Sequence, residues 1–179
     1  GVEGRAAALH FEAFSKHLRP ALRTTFPFDG RNRRPPRDPI NGLLSFLYAL
    51  LRHDCVSALT AVGLDPFVGF LHADRAGRES LALDLMEEFR PWAERLALTL
   101  LNRGELKARD FDLRDGGACE LTEPARKTIV GAYQQRKAEE LTHPLFREKV
   151  RYAQLVFIQA RLLARALRDD AAYEPHLFT

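Results

Sequence analysis

The chain has 179 residues, 46% of them hydrophobic, and a formal net charge of +3. That composition excludes a disordered polymer and is long enough to bury one core. No apolar run reaches membrane-spanning length, and Cys55 and Cys119 lack a CxxC partner. The expectation is a cytoplasmic protein with reduced thiols and no membrane partner. The excess of arginine over lysine leans toward phosphate-bearing partners.

Ala7, Phe11, Phe14 and Leu18 recur at helical spacing and predict an amphipathic helix over 1–18. The chain starts inside this helix without a methionine, which suggests an excised C-terminal domain. Pro20 and the stretch 24–38 break the pattern. Arg31, Arg33, Arg34 and Arg37 fall there with Pro27, Pro35 and Pro36, giving a basic, semi-rigid loop. Polybasic runs serve equally as phosphate contacts and as solvated linkers. Asp38 and Pro39 then open a helix that runs to about Val62 and stops at Gly63.

A short helix is expected from Asp65-Pro66 through Leu71, followed by a polar loop over 73–79. Ser80 caps a long helix ending at Gly104, with Pro91 inside it and a kink expected beside Glu87. The stretch DFDLRDGGACEL predicts a hairpin turning at Asp115-Gly116-Gly117. Helices are expected from Glu123-Pro124 to about Glu140 and from Pro144 to about Asp169. The fold class is mainly α, a helical bundle with one small β-hairpin at about 111–121.

The block GLDPFVGFLHADRAGRESLALDLMEEFRP carries the chemistry. It leads His72 into a basic, Gly-containing loop and then places Asp84 and Glu87 on one face of a helix. An imidazole with carboxylates suits Mg²⁺ or Mn²⁺ rather than a thiolate zinc site. A third ligand could be Asp84 itself or Glu3, which sits among small residues at the chain start. The competing reading makes Asp84, Glu87 and Glu88 a solvated acidic face near a helix N-terminus. Arg75 and Arg78 would flank an ion at His72. Arg147, Arg151, Arg161, Arg165 and Arg168 fall on one predicted helical stripe with Gln154, either along a nucleic-acid backbone or as an exposed face. His53-Asp54 is a weak signal for a His-Asp phosphohydrolase, with His10 and His17 available to it. A basic helical scaffold that binds DNA without catalysis is the other alternative.

The stretches GVEGRAA, GRNRRPPRDPINGLLSFLYALL, the block above, AYQQRK and the YEPHL tail resemble one family across nearly the whole chain. It is the CRISPR spacer-acquisition integrase, the metal-dependent endonuclease that is the first of the CRISPR-associated proteins. The resemblance implies a helical catalytic domain that follows an N-terminal β-domain missing here. It implies metal ligation by Glu3, His72 and Glu87, with Asp84 as a supporting acid and Mg²⁺ or Mn²⁺ as the ion. Asn41 and Tyr48 lie in a further shared motif, and Phe178 stands where an aromatic such as Trp is usual. The implied activity is insertion of new spacer DNA into a CRISPR array, in antiviral defence, by 3′-hydroxyl attack on a phosphodiester. DNA, a second copy of the full protein and a small companion CRISPR-associated protein are the implied partners.

Overall fold

The computed structural model describes residues 2–32, 34–73, 75–169 and 172–177, apart from the side chains of 2–4, 6–8 and 169. The architecture is mainly helical, with two small antiparallel hairpins. The helices are α1 (Val2–Lys16), α2 (Pro20–Arg23), α3 (Pro39–Ala61), α4 (Ser80–Asn102), α5 (Glu123–Ala138) and α6 (Tyr152–Asp169). The hairpins pair β1 (Phe111–Leu113) with β2 (Cys119–Leu121), and β3 (Glu140–Thr142) with β4 (Lys149–Arg151). No helix among the described residues is long and apolar enough to cross a membrane.

The chain divides into two compact units, Gly1–Leu47 with Glu94–Tyr133, and Tyr48–Ala93 with Gln134–Thr179. In the first, Phe11, Phe14 and Leu18 are buried, as are Ile40, Leu43, Leu44 and Leu47 of α3. The expected helical spacing thus becomes a buried face. The side chain of Ala7 lies outside the described residues. Phe26 meets Phe111 edge-to-face at 5.9 Å, so the first hairpin contributes to this core. Asp38 caps α3 as expected, its Oδ1 accepting the Asn41 N–H at 2.8 Å.

The second unit buries Leu51, Cys55, Ala58 and Leu59 of α3, with Leu85, Phe89 and Trp92 of α4 and Leu155, Val156 and Ala160 of α6. Burial pushes the Cys55 thiol far up, with Asp54 and Glu88 adding to it. In the first unit the Cys119 thiol is pushed up to about 11, mainly by burial.

Three sequence expectations are corrected. The residues 67–71 form turns rather than a short helix. A second hairpin occupies 140–151, where a helix from Pro144 was expected. His143, as the residue before a proline, is biased away from helix, and its Nδ1 accepts the N–H groups of Leu145 and Phe146 at 3.2 and 3.4 Å. That closes a turn before Val150 pairs with Leu141. Consequently Arg147 (φ 60°) sits in the turn and Arg151 on β4, so neither belongs to the helical stripe that Arg161, Arg165 and Arg168 form on α6.

Finally, Glu88 is not part of a solvated acidic face. It accepts Gln159 Nε2 at 2.8 Å, the His176 N–H at 2.7 Å and the Tyr173 hydroxyl, which draws the YEPHL tail onto α4. Burial pushes its carboxyl up, and those hydrogen bonds only partly offset the shift.

His143 and His176 are both buried, with ring centroids 5.9 Å apart. Burial lowers the pKa of each, and at His176 the charge of His143 lowers it further. A histidine held neutral by the fold binds fewer protons than it does unfolded. Stability is therefore retained above the ordinary imidazole range and lost as the pH falls through it. The melting temperature is expected to drop between pH 7.5 and 5.5, and the drop should shrink in His176→Gln; a flat profile would contradict this.

Candidate metal and nucleic-acid site

His72 reaches its position through a segment fastened to the start of α4. The Pro66 carbonyl accepts the N–H groups of Leu81 and Ala82 at 2.9 and 3.2 Å, satisfying donors that the first turn of a helix leaves open. Ser80, expected as a side-chain cap, instead donates its hydroxyl to the Ala73 carbonyl at 3.2 Å. Gly69 lies so close that a Cβ there would come within 2.6 Å of Ser80 Cβ and 2.9 Å of the His72 carbonyl. Gly69→Ala is expected to cost about 1–3 kcal/mol through overpacking, read as a lower melting temperature; an unchanged one would show that the segment is slack.

Asp84, on the second turn of α4, organises the segment that carries His72. Its Oδ2 accepts the N–H groups of Phe70 and Leu71 at 2.6 and 3.0 Å, and its Oδ1 accepts the His72 N–H at 2.9 Å and lies 2.7 Å from His72 Nδ1. Partial burial alone would raise its pKa. The N–H bonds of Leu71 and Phe70, with both contacts to His72, outweigh that and hold the carboxyl below its usual range. An ionised acceptor places the proton of a neutral imidazole on Nδ1 and leaves the Nε2 lone pair available. The His72 side chain is 28% exposed, against 9% for Asp84, so the imidazole is the more accessible member of the pair and the carboxylate is shielded.

Glu87 stands one turn along, at i+3 from Asp84. Arg90 Nη1 donates to its Oε2 at 2.7 Å, and Arg90 Cζ lies 5.1 Å from the Tyr48 ring centroid. Burial works against the Arg90 charge, but Tyr48 and Glu87 outweigh it and keep the guanidinium firmly protonated. Tyr48 thus supports an arginine that orients Glu87. The side chain of Glu3 lies outside the described residues, and no group of three or more His, Cys, Asp or Glu among the described residues could hold a metal ion. His72, Asp84 and Glu87 are brought onto one loop-helix unit, with Asp84 turned toward the protein backbone.

The predicted basic residues have different environments. Arg31 ties its loop to α3, donating to Asn41 Oδ1 at 2.6 Å and Ser45 Oγ at 3.0 Å, and also to the Asn32 carbonyl. Asn41 is fully buried and also donates to the Gly30 carbonyl and to Asp38 Oδ2 at 2.9 and 2.6 Å. Asn41 is therefore the hub that shapes the loop. Arg34 and Arg37 are exposed, and Arg33 lies outside the described residues. Arg75 is exposed and Arg78 half-buried beside the His72 segment. Arg151 is exposed on β4. Arg161 lines a groove of about 680 Å³ with Arg165, Arg168, Phe146 and Leu162, and none of His72, Asp84 or Glu87 contributes to it.

The alternative at His53-Asp54 finds no support. Asp54 is ion-paired with Lys137 at 2.8 Å, and His10 is paired with the buried Glu94 at 2.6 Å. The half-buried Glu88 and the buried Glu94 are the acids that helical periodicity did not single out. Their only sequence signal is an acid next to core positions on α4.

A family model described as "CRISPR associated protein Cas1" matches residues 1–135. The chain belongs to the Cas1 family. It is 55% identical over 177 residues to a CRISPR-associated endonuclease Cas1 of Rhodospirillum rubrum, covering 98% of this chain and 51% of that protein. It is 46% identical over 173 residues to a Leptospira interrogans Cas1 endonuclease, covering 97% of this chain and 68% of the relative. The chain spans about half the length of several of the curated relatives it matches. A casposase bound to its integration product superposes with a TM-score of 0.86 at 28% identity, over 96% of this chain and 47% of that one. A chain of a Cas6-RT-Cas1–Cas2 complex gives 0.82 at 29% identity, over 99% of this chain and 19% of that one.

Proposed function

We propose that this Cas1-family chain is the helical catalytic portion of a metal-dependent DNA endonuclease and integrase, which inserts new spacer DNA into a CRISPR array. The observation that carries the reading is the imidazole of His72, held through Nδ1 by Asp84 and 28% exposed, on the loop-helix unit that bears Glu87. Names of relatives support it: curated Cas1 proteins are called endonucleases, and a casposase was captured with an integration product.

The donor types fit Mg²⁺ or Mn²⁺, an imidazole nitrogen with carboxylate oxygens and no thiolate. His72 and Glu87 would hold the ion, with Glu3 as the third donor that family resemblance assigns. When bound, it supplies Lewis-acid stabilisation to a phosphate oxygen and to the leaving 3′-oxygen. The chain's own groups prepare the rest. Asp84 retains the proton at His72 Nδ1, as an outer carboxylate does behind a ligating histidine. Arg90 holds one carboxylate oxygen of Glu87, Oε2. Arg75 and Arg78 would take phosphate contacts beside His72, and Arg34, Arg37, Arg151 and Arg161 would do so elsewhere, while Arg31 shapes its loop. The nucleophile is the 3′-hydroxyl of incoming DNA, and water in its place gives cleavage. A homodimer of the full protein and a small companion of the Cas2 kind are the proposed assembly.

Millimolar Mn²⁺ should raise the melting temperature of the chain, and the shift should vanish in Glu87→Ala. An equal shift in Glu87→Ala would remove this residue from the ligand set. No shift in the parent protein would favour a basic DNA-binding scaffold, recognised by salt-sensitive binding without a metal requirement.

A further inference from the structure

Two adjoining acids on α4 serve opposite sides of the helix. Glu87 is exposed, whereas Glu88 is half-buried and gives both carboxylate oxygens to the C-terminal tail and α6. Its Oε1 accepts the Tyr173 hydroxyl, and its Oε2 accepts the His176 N–H at 2.7 Å and Gln159 Nε2 at 2.8 Å. Gln159, 1% exposed, also donates to the Tyr173 hydroxyl at 3.1 Å and the Glu174 carbonyl at 3.2 Å, so it joins the tail to α6. One residue further along α4, the Phe89 ring lies nearly parallel to His176, with centroids 6.4 Å apart and planes at 8°. All of these residues belong to the second unit.

The clasp falls where Pro91 interrupts α4. Proline has no N–H, so the Glu87 carbonyl lacks its intrahelical donor and the turn from Glu87 to Pro91 holds itself less firmly than an ordinary turn. The preceding turn is fixed through Asp84, which takes three N–H groups of the His72 segment. The weakened turn is fixed from the tail, which grips residues 88 and 89. Glu87 and Arg90, bonded to each other at 2.7 Å, flank that gripped pair.

Resting on the function proposed above, we infer that Tyr173 and Glu88 are positioning residues for the metal site: the tail clasps the interrupted turn of α4 and so sets where Glu87 stands relative to His72. They act through Glu87 and not on the ion. A released clasp leaves the Glu87 carboxylate in register for a smaller fraction of the time, and the apparent affinity for the ion falls by that fraction.

The test uses the full chain and Mn²⁺ itself, titrated while electron paramagnetic resonance follows the free ion. Tyr173→Phe removes one hydroxyl and keeps the ring; Glu88→Ala releases the tail and Gln159 together. Tyr173→Phe should weaken Mn²⁺ binding about tenfold, and Glu88→Ala at least as much. Amide exchange at Arg90 and Trp92, on either side of Pro91, should accelerate in the metal-free variants. Ala58→Gly, a helix-weakening change at a buried position of α3, is the control. It should lower the melting temperature and keep the parent affinity for Mn²⁺. Parent affinity in both Tyr173→Phe and Glu88→Ala would overturn this inference and leave the proposed function standing, with the tail a stabilising contact alone. A loss in Glu88→Ala with parent affinity in Tyr173→Phe would also overturn it, assigning the effect to Glu88 without the tail. So would an equal loss in Ala58→Gly, since any weakening of the unit would then suffice. If Glu88→Ala does not fold, Tyr173→Phe decides alone. A parent protein that takes up no Mn²⁺ would remove both readings together.

Discussion

His72→Ala is expected to reduce Mn²⁺-dependent cleavage of branched DNA to background while the chain stays folded. The side chain is 28% exposed, and losing its hydrogen bond to Asp84 should lower the metal-free stability by about 1.5–3 kcal/mol at most. The loss of cleavage should exceed the roughly 10–100-fold that removal of a partner behind a ligand produces. Gel-resolved cleavage at fixed Mn²⁺, with circular dichroism to confirm folding, checks the outcome. Cleavage at the parent rate would place the chemistry elsewhere and end the assignment of this imidazole.

Asp84 should produce the second large effect, and of a different kind. Asp84→Ala strands three backbone N–H groups and the His72 ring nitrogen at once. Hydrogen bonds to a charged acceptor contribute about 1.5–3 kcal/mol each, and partial exposure of these donors reduces the sum to about 2–4 kcal/mol. Asp84→Asn keeps the shape but is a weaker acceptor. It should hold the fold and lose about 10–100-fold in Mn²⁺ affinity. Amide exchange at Phe70, Leu71 and His72 reports directly on the contacts, and should accelerate in the alanine variant and much less in the asparagine one. Unchanged exchange in the alanine variant would show that these bonds do not hold the segment.

How far these features are legible in the sequence depends on how local their cause is. The Asp38 cap, the Pro39 start of α3 and the Gly63 and Gly104 stops are written in adjacent residues, and all recur in the structure. The partnership of His72 and Asp84 is half legible. Loop-helix spacing brings them together, but a carboxylate collecting backbone donors leaves no side-chain pattern to recognise. Glu88 escapes detection because helical periodicity cannot register a tail 85 residues later, whose Tyr173 closes over it. The second hairpin is hidden because Pro144 imitates a helix start, while Thr142 and Val150, both β-branched, are the quieter signal. Asn41 stands out only as part of a shared motif, and its four-way bonding explains its presence without any contact to substrate.

The two native thiols carry a practical consequence. Cys55 and Cys119 are both shielded and protonated well above neutral pH, so neither offers the thiolate that maleimides attack. A cysteine introduced at the exposed Ala76 would then be the first site to label, without prior removal of the others. A fluorophore attached there would sit four residues from His72 and could follow DNA arrival in real time.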